Sequence, residues 1–273
     1  MYRILDKKVL AEGVKTVEIR APDVARKALP GQFVIVRVTE TGERIPLTIQ
    51  EADTSRGSVK VTFLEIGKTT KLLGSLSVGD SIANLAGPLG RPSEIKLYGT
   101  VVIAGGGVGS ACCLPVARAL KEVGNYLISI IGFRSKDLVI MEEEFSATSD
   151  EVYVTTDDGS YGYKGFVSNK LLDLLEGGRR IDYVYAVGPA VMMRSVAETT
   201  RPFGVKTVVS LNPIMVDGTG MCGACRVEVD GQTKFACVDG PEFDGHKVNF
   251  DLLMKRQRFY MEEEKVALGT LQR

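Results

Sequence analysis

The residues best suited to chemistry lie in the segment Asp217-Gly-Thr-Gly-Met-Cys222-Gly-Ala-Cys225, which is followed by Cys237. Four residues separate Asp217 from Cys222, two separate Cys222 from Cys225, and eleven separate Cys225 from Cys237. Apart from the aspartate, this is the spacing of a plant-type [2Fe–2S] loop. The glycines in the loop accept unusual backbone angles and keep side chains away from a cluster. The spacing therefore predicts a [2Fe–2S] site with one carboxylate and three thiolate ligands.

Other interpretations of these cysteines remain open. A structural zinc site could use the three thiols and a carboxylate, although such sites normally use only cysteine and histidine. A disulfide is disfavoured, because a C-x2-C pair with a third thiol is typical of metal or redox sites and nothing marks the chain as secreted. An oxygen ligand is harder than a thiolate, so Asp217 would change the electronic properties of a cluster. The glycine-rich loop favours the cluster.

A second candidate site is a glycine-rich turn between an apolar run and a helical pattern. Backbone N–H groups and the positive end of a helix at such a turn can hold a pyrophosphate. As a dinucleotide fingerprint the turn is imperfect, because Ser110 stands at the third glycine position and no acidic residue ends the second strand. A tight turn without a ligand thus remains open. The candidate residues are Gly105, Gly106, Gly107, Val108 and Gly109.

Two further turns favour a nucleotide site. Asp157, Asp158 and Gly159 follow one apolar run, and Gly188 and Pro189 follow another. Ligands bind outside the carboxyl ends of the strands in an open parallel sheet. The three turns together therefore predict a binding crevice at one edge of such a sheet.

Composition excludes several classes of protein. The 34 basic and 34 acidic residues balance, so we expect no nucleic-acid binding. The sequence has no apolar run of about 18 residues and no charged leader before an apolar segment, so we expect neither membrane association nor export. A length of 273 residues leaves room for two domains. Five cysteines and an oxidation-sensitive cluster favour the cytoplasm.

The elements that must position these sites fall into successive parts. Residues 1–97 contain short runs rich in Val, Ile, Thr and Phe, clearest at 14–21, 32–38, 45–49 and 59–66, which predict an antiparallel β-barrel or sandwich. In residues 98–210, near-continuous apolar runs at 101–104, 127–132, 152–155, 184–187 and 205–209 alternate with helical patterns at 109–123, 165–176 and 190–201. This pattern predicts an α/β domain with a parallel sheet that is covered on both faces.

Residues 211–250 form the predicted cluster subdomain. Alternating segments on either side of Asp230-Gly231 predict a hairpin with a type I′ turn. Residues 251–273 form a charged tail, predicted to be helical over 251–266. Its apolar residues make only a partial helical stripe, so the tail either contacts a partner or folds back on its own domain.

These motifs resemble the ferredoxin–NADP reductase superfamily. The resemblance rests on a barrel followed by Ala104-Gly-Gly-Gly-Val-Gly109, Thr156-Asp-Asp-Gly-Ser160, Val187-Gly-Pro189 and the cluster loop, and it covers nearly the whole chain. Within the superfamily, residues 132–138, 164–166 and 239–241 are similar to the electron-transfer subunits of dihydroorotate dehydrogenases and their sulfide dehydrogenase-like relatives.

Asp217 distinguishes between these relatives. Subunits of the dihydroorotate type carry cysteine at this position. The small subunits of NADH-dependent reduced ferredoxin:NADP oxidoreductases, which are electron-bifurcating transhydrogenases, carry aspartate. The sequence is therefore most similar to the latter, with the dihydroorotate and sulfide dehydrogenase types as alternatives.

The resemblance implies FAD between the barrel and the nucleotide domain. In the family motif an arginine directly precedes the Pro-Leu-Thr segment, where this chain has Ile45. A shift of one residue turns a strand side chain to the other face, so a flavin contact by Arg44 stays open, with Lys68 as the alternative phosphate ligand. A helix that begins near Gly67 would offer N–H groups and a positive end. The matching positions are Arg44, Pro46, Leu47 and Thr48 for the isoalloxazine, and Glu65, Gly67, Lys68, Thr69 and Thr70 for the ribityl chain and pyrophosphate.

The choice of nicotinamide cofactor is left open by opposing indications. Arg134, Ser135 and Lys136 stand where a 2′-phosphate would be read, which favours NADP(H) on electrostatic grounds. The resemblance favours NAD(H), because in bifurcating relatives the large subunit handles NADP. NAD(H) is the expectation. Cys112 and Cys113 either lie near the nicotinamide or are small packing residues.

The resemblance also implies a partner. We expect a heterodimer with a larger iron–sulfur flavoprotein subunit, and through that complex an exchange of electrons with ferredoxin. FAD would convert hydride transfer into single-electron transfer to the cluster, and no general acid or base is expected. A stand-alone flavin reductase and a zinc module without flavin are the alternatives from other classes.

Overall fold

The computed structural model describes residues 2–269. The strands are, in chain order, β1 Tyr2–Ala11, β2 Val14–Arg20, β3 Phe33–Arg37, β4 Arg44–Asp53, β5 Ser58–Leu64, β6 Ser81–Ile82, β7 Asn84–Leu89, β8 Thr100–Gly106, β9 Tyr126–Phe133, β10 Glu151–Thr156, β11 Tyr163–Lys164, β12 Tyr183–Val187, β13 Lys206–Ser210, β14 Arg226–Val229, β15 Gln232–Phe235 and β16 Glu242–Asp244. The α-helices are α1 Pro22–Ala25, α2 Lys68–Ser75, α3 Gly109–Glu122, α4 Glu142–Thr148, α5 Val167–Glu176, α6 Ala190–Thr200, α7 Ala236–Asp239, α8 Phe250–Gln257 and α9 Met261–Gly269. Residues Lys136–Leu138 and Arg201–Phe203 are 3₁₀ turns.

The first sheet is a nearly closed antiparallel barrel of seven strands in the order β6-β1-β2-β5-β4-β3-β7. Alternate residues of its strands point inward, as the period of two requires. The inward set includes Val17 and Ile19 on β2, Val34 and Val36 on β3, and Val61 on β5, all fully buried. The predicted barrel is confirmed.

The second sheet has the order β11-β10-β9-β8-β12-β13-β16. Strands β10, β9, β8, β12 and β13 are parallel to one another. The chain moves outward in one direction from β8 to β10 and in the other from β12 to β13. The crevice at the carboxyl ends of β8 and β12 is therefore the switch point where such sheets bind ligands.

Helices cover both faces of this sheet, as the continuous apolar runs predicted. Val101 and Ile103 pack with the buried residues of α3 and α4 on one face. Val102 and Ala104 pack with α5 and α6 on the other. The α/β fold class is confirmed.

The cluster segment extends the parallel sheet. Strand β16 pairs antiparallel with β13 and forms its edge. Strands β14 and β15 form the predicted hairpin, in which Asp230 (φ 54°) and Gly231 (φ 70°) both have the positive φ of a type I′ turn. The domain limits at 97, 210 and 250 stay predictions.

The tail consists of two helices, α8 and α9, separated at residues 258–260. Phe250 and Leu253 are buried in the core shared with α5 and α6, and Arg194 Nη1 donates to Asp251 Oδ1 at 2.9 Å. Helix α9 buries no residue and lies beside α2. The final residues of the tail, 270–273, lie outside the described residues. Within residues 2–269, no helix is both long and apolar enough to cross a membrane.

Candidate functional site

The glycine-rich turn after β8 is shaped by close packing of backbones. A Cβ on Gly109 would lie 2.5 Å from the carbonyl oxygen of Val187, and one on Gly105 would lie 2.8 Å from the Cα of Ser110. Gly109 therefore performs the packing role that the fingerprint gives to its third glycine, and Ser110 packs against the first. The departure seen in the sequence is thus only a shift of one position.

Gly107 differs from the other glycines of the turn. Its φ is 54° and nothing lies within 4 Å of the place that a Cβ would occupy. Its N–H donates to the carbonyl oxygen of Gly132 at 2.8 Å, which ties the turn to the end of β9. Val108 then caps α3, and in its first turn the N–H groups of Ser110 and Ala111 donate to Gly107 O and Val108 O, each at 3.1 Å. This leaves an open surface that suits a pyrophosphate.

Gly188 and Pro189 form the opposite side of the crevice. A Cβ on Gly188 would lie 3.2 Å from the Cα of Gly106 and 2.7 Å from Met192 Sδ. Pro189 caps α6. The two glycine turns therefore meet at the switch point, as predicted, and only residues without side chains fit between them.

The turns after β9 and β10 lie side by side. The N–H of Asp157 donates to Phe133 O at 3.0 Å, and the N–H of Asp158 donates to Arg134 O at 3.2 Å. Gly159, with a φ of 77°, reverses the chain after them. Hydrogen bonds from Ser160 lower the pKa of Asp158. Two carboxylates thus stand beside the basic turn in which a 2′-phosphate would be read.

The predicted flavin segment lies on β4. Ile45 and Leu47 pack against the barrel core, so Arg44, Pro46 and Thr48 point to the other face by strand alternation. Arg44 is exposed and its Nη2 donates to Asn84 Oδ1 at 3.4 Å. The arginine of this chain therefore lies one residue before the family position at Ile45, on the same strand face as Thr48.

Thr48 meets Cys112 at the boundary between the barrel and the nucleotide domain. Burial raises the pKa of the Cys112 thiol, while a hydrogen bond with Thr48 opposes this shift. Cys113 is fully buried in the core beneath α3. The structure therefore places Cys112 at the domain boundary and makes Cys113 a packing residue.

The start of α2 presents the predicted phosphate-binding groups. Gly67 precedes the helix, and Thr70 Oγ1 accepts from the N–H of Gly67 at 3.0 Å. Thr69 is buried and its hydroxyl donates to Glu43 Oε2 at 2.5 Å. Lys68 is half-buried in the first turn. Free N–H groups, hydroxyls and a lysine meet here, which fits a pyrophosphate.

Glu65 lies differently from the other predicted flavin residues. Its Oε1 accepts from Lys15 Nζ at 2.7 Å, and Lys15 Nζ also donates to Gly74 O at 3.0 Å near the end of α2. Lys7 Nζ donates to the same carbonyl at 2.5 Å. The Glu65 side chain therefore helps to hold the carboxyl end of α2, and its role as a cofactor ligand stays a prediction.

Asp217, Cys222 and Cys225 lie in the cluster loop, and the fourth predicted ligand, Cys237, lies in α7. Cys225 and Cys237 are buried, with their sulfur atoms 3.2 Å apart, and Cys222 is exposed. Burial raises the pKa of the Cys237 thiol, and the contact with Cys225 raises it further. Asp217 accepts from the N–H of Thr219 at 2.9 Å and of Cys222 at 2.7 Å, which lowers its pKa. Among residues 2–269, no three such side chains converge in metal-binding geometry.

The glycines of this loop explain its shape. Gly218, Gly220 and Gly223 have φ of 76°, 85° and 66°, which glycine adopts without strain. A Cβ on Gly218 would lie 2.7 Å from Leu89 and 2.8 Å from Ile35, so the loop packs directly on the barrel. Three thiols and one carboxylate on such a loop fit an iron–sulfur cluster by donor chemistry.

Two residues that support this site gave no indication in the sequence. Arg91 Nε donates to Val238 O at 3.0 Å and its Nη2 lies 3.6 Å from Asp239 Oδ1, which holds the helix that carries Cys237. Glu242 accepts from Ser93 Oγ, and from Tyr185 Oη at 2.8 Å. Burial raises the pKa of Glu242. Their partners lie up to 149 residues away, beyond any local pattern.

Comparison with solved structures first defines the class of protein. Phthalate dioxygenase reductase, a modular protein for electron transfer from pyridine nucleotides to [2Fe–2S], has 18% identity and a TM-score of 0.57 over 84% of this chain and 85% of its own, which shows a shared fold. A second similar chain comes from the structure of an NADH-dependent reduced ferredoxin–NADP oxidoreductase, which was described for its insight into flavin-based electron bifurcation. The two chains are 48% identical with a TM-score of 0.94, and the match covers 100% of this chain and 98% of the other. The fold is that of ferredoxin–NADP reductase-like proteins.

Sequence relatives define the family. The iron–sulfur cluster binding domain of dihydroorotate dehydrogenase B matches residues 212–249. A homolog of the dihydroorotate dehydrogenase B (NAD(+)) electron transfer subunit from Thermotoga maritima is 50% identical, over 98% of this chain and 94% of its own length. The subunit from Desulforamulus reducens is 34% identical over 91% and 99%. The chain belongs to the family of dihydroorotate dehydrogenase B electron-transfer subunits and their homologs.

Membership of this family confirms several predictions. The chain is an oxidoreductase subunit for electron transfer, with FAD, NAD(H) and a [2Fe–2S] cluster as the cofactors of its fold and family. The association with a larger subunit is confirmed in this general form. The residue assignments at the three sites stay proposals.

Proposed function

We propose that the chain is the small subunit of an electron-bifurcating NADH-dependent reduced ferredoxin:NADP oxidoreductase. The observation that carries this proposal is Asp217, a carboxylate at the first ligand position of the cluster loop. Its two oxygens accept from the N–H groups of Thr219 and Cys222, so the side chain is held within the loop. The identity of 48% with a chain of such an enzyme over the whole length supports the same assignment.

Each candidate site has one task. The N–H groups at the start of α2, with Lys68 and Thr69, bind the FAD pyrophosphate. Thr48 orients the flavin edge at the domain boundary, beside Cys112. The glycine turns at the ends of β8 and β12 bind the pyrophosphate of NAD(H) and direct its nicotinamide to that boundary. When bound, FAD exchanges a hydride with NAD(H) and single electrons with the cluster.

The four proposed cluster ligands lie in two different environments. Cys225 and Cys237 are buried against the core, and Asp217 and Cys222 lie towards the surface. Burial and the neighbouring Cys225 raise the pKa of the Cys237 thiol, and the positive charge of iron at this site would favour its thiolate form. Arg91 fixes the position of Cys237 through the backbone of its helix.

A larger subunit then receives the electrons. Met221, next to Cys222, is 89% exposed, and Val216 and Val238 on the same loop region are also exposed. Apolar side chains around a redox centre suit a contact with a partner. We assign this surface to the larger iron–sulfur flavoprotein subunit, which exchanges electrons with ferredoxin. A cytoplasmic location stays a prediction from the cysteine content.

The test is spectroscopy of Asp217 variants. Asp217→Cys should retain the [2Fe–2S] cluster and shift its reduction potential and EPR spectrum, because a thiolate is softer than a carboxylate. Asp230→Asn removes a carboxylate from the exposed hairpin turn, where asparagine tolerates the positive φ, and is the matched control. An unchanged spectrum and potential in both Asp217→Cys and Asp217→Ala would show that Asp217 is not a ligand.

The dihydroorotate dehydrogenase B type is the second candidate, because relatives of 34% identity carry that name. Co-purification with a dihydroorotate-oxidising subunit, and NAD reduction that depends on dihydroorotate, would favour it. Dependence of NADP reduction on both NADH and reduced ferredoxin would exclude it as the main activity.

A further inference from the structure

The first helix of the tail, α8, packs directly against the cluster segment. Its residues Phe250 and Leu253 are buried in the same core as Cys225 and Cys237, two of the four proposed cluster ligands. Helix α8 is therefore part of the structure that supports the cluster site, although it lies beyond every ligand in the sequence.

Both ends of α8 are anchored to the cluster segment. At the first end, the N–H of Asn249 donates to Glu228 O at 2.9 Å, and Asn249 Nδ2 donates to Glu228 Oε1 at 2.8 Å. At the other end, Gln257 Nε2 donates to both O and Oδ1 of Asn212, each at 3.0 Å. Because none of these contacts involves Arg256, we expect the helix to stay in place when Arg256 is substituted.

The last turn of α8 brings Arg256 to the cluster loop. Arg256 is half-buried, and its Nη2 donates to the carbonyl oxygen of Ala224 at 3.2 Å. Ala224 directly precedes Cys225, so this carbonyl belongs to the same peptide unit as the N–H of Cys225. The guanidinium also lies 5.4 Å from the centre of the Phe259 ring, in a cation–π arrangement. The Arg256 side chain is thus held between the loop and this ring.

The charge of Arg256 differs in its surroundings from that of Arg91, which contacts the helix of Cys237. Arg91 Nη2 lies 3.6 Å from Asp239 Oδ1, so a carboxylate offsets its charge. Among residues 2–269, no carboxylate forms an ion pair with Arg256. Arg256 therefore brings an uncompensated positive charge to the cluster loop.

A positive charge at this position has a direct consequence for an iron–sulfur cluster. One-electron reduction adds a negative charge to the cluster, and a nearby cation stabilises that charge. The reduction potential also depends on hydrogen bonds to the sulfur atoms. A hydrogen bond to a peptide carbonyl polarises the peptide unit and strengthens its N–H as a donor. Both effects of Arg256 favour the reduced cluster.

We propose that Arg256 is a positioning residue that raises the reduction potential of the [2Fe–2S] cluster. Through the Ala224 carbonyl it fixes the part of the loop next to Cys225, and its charge stabilises the cluster after reduction. The proposal rests on the cluster site proposed above. It gives α8 a role in electron transfer within its own chain, separate from any contact of the tail with a partner.

The test is the midpoint potential of the cluster, measured by redox titration of the native complex with EPR detection. Arg256→Gln should make one-electron reduction about tenfold less favourable, which lowers the potential by about 59 mV. Arg256→Lys retains the charge and should recover most of this loss. A purely structural role would reduce the cluster content without moving the potential of the clusters that remain.

Arg258→Gln is the matched control, because it removes one positive charge from an exposed residue only two positions away. It should leave the potential unchanged. The proposal for Arg256 would be overturned, with the cluster site intact, by an unchanged potential in Arg256→Gln, by an equal drop in Arg258→Gln, or by an equal drop in Arg256→Lys.

Two further outcomes concern assembly of the cluster. If Arg256→Gln assembles no cluster, the parental potential in Arg256→Lys supports the proposal and a lowered potential in that variant overturns it. A parent protein that holds no [2Fe–2S] cluster would show that the cluster site itself is wrong, and the inference fails with it.

Discussion

Gly107 and Gly109 allow the binding role of the glycine turn to be separated from its packing role. A methyl group at Gly107 would extend into open space, with nothing within 4 Å, whereas at Gly109 it would lie 2.5 Å from a backbone oxygen. Gly107→Ala therefore costs only the strain of a positive φ, about 1–2 kcal/mol. For a chain of this size this lowers Tm by about 2–8 °C.

The same methyl group should obstruct the nucleotide. It would stand where backbone N–H groups approach the pyrophosphate, so we expect Gly107→Ala to weaken binding of NADH and ADP-ribose at least about tenfold, equivalent to about 1.4 kcal/mol. Flavin and cluster content should be unchanged, because neither contacts this turn in the proposed arrangement. Calorimetry with ADP-ribose, flavin reduction by NADH and a thermal scan measure these effects.

Gly109→Ala is the comparison. Its Cβ meets backbone atoms of Val187 and Gly188, which cannot rotate away, so overpacking should cost about 1–3 kcal/mol or more and also disturb the crevice. Gly107→Ala should thus lose binding with a small loss of stability, and Gly109→Ala should lose both. Native affinity for ADP-ribose in Gly107→Ala would refute the assignment of the turn to the nucleotide.

Two further predictions concern the flavin and the buried carboxyl group. Gly67→Val should release FAD and retain the cluster. A Cβ at this position lies 4.0 Å from its nearest neighbour, so the added side chain would clash only with a bound phosphate. Full flavin occupancy, measured by absorbance, would count against this placement. Glu242→Gln should raise Tm more at pH 8 than at pH 5. Burial raises the Glu242 pKa, so the stability it contributes is complete below its ordinary pKa of 4.5 and is lost as the pH rises through the higher folded value. Equal shifts of Tm at both pH values would contradict the raised pKa.

Local patterns were sufficient to predict most of the fold. Continuous apolar runs in the parallel sheet reflect strands that are buried on both faces. Alternation of apolar and polar residues in β2 and β5 reflects strands that are buried on one face. Both patterns are visible in the sequence. The hairpin at Asp230-Gly231 was also predictable locally, because a type I′ turn needs positive φ at both positions. The attachment of β16 to β13 was not predictable, because a three-residue strand has no periodicity.

The candidate site was predictable as a set of motifs but not as a set of contacts. Spacing located the cluster loop and the glycine turns. Spacing left the packing glycine of the turn unassigned, because only the approach of Val187 shows that Gly109 has that role. The ion pair of Glu65 with Lys15 joins residues 50 positions apart, and the bond of Arg91 to Val238 joins residues 147 apart. Such pairs depend on how the elements pack, which no local window contains.

The most direct test of the central claim is the activity and size of the native, untagged protein. We expect a stable heterodimer in which NADP reduction requires both NADH and reduced ferredoxin, while the separated chain retains only reduction of dyes by NADH. A chain that elutes alone near 29.6 kDa and still reduces NADP with NADH and reduced ferredoxin would contradict it.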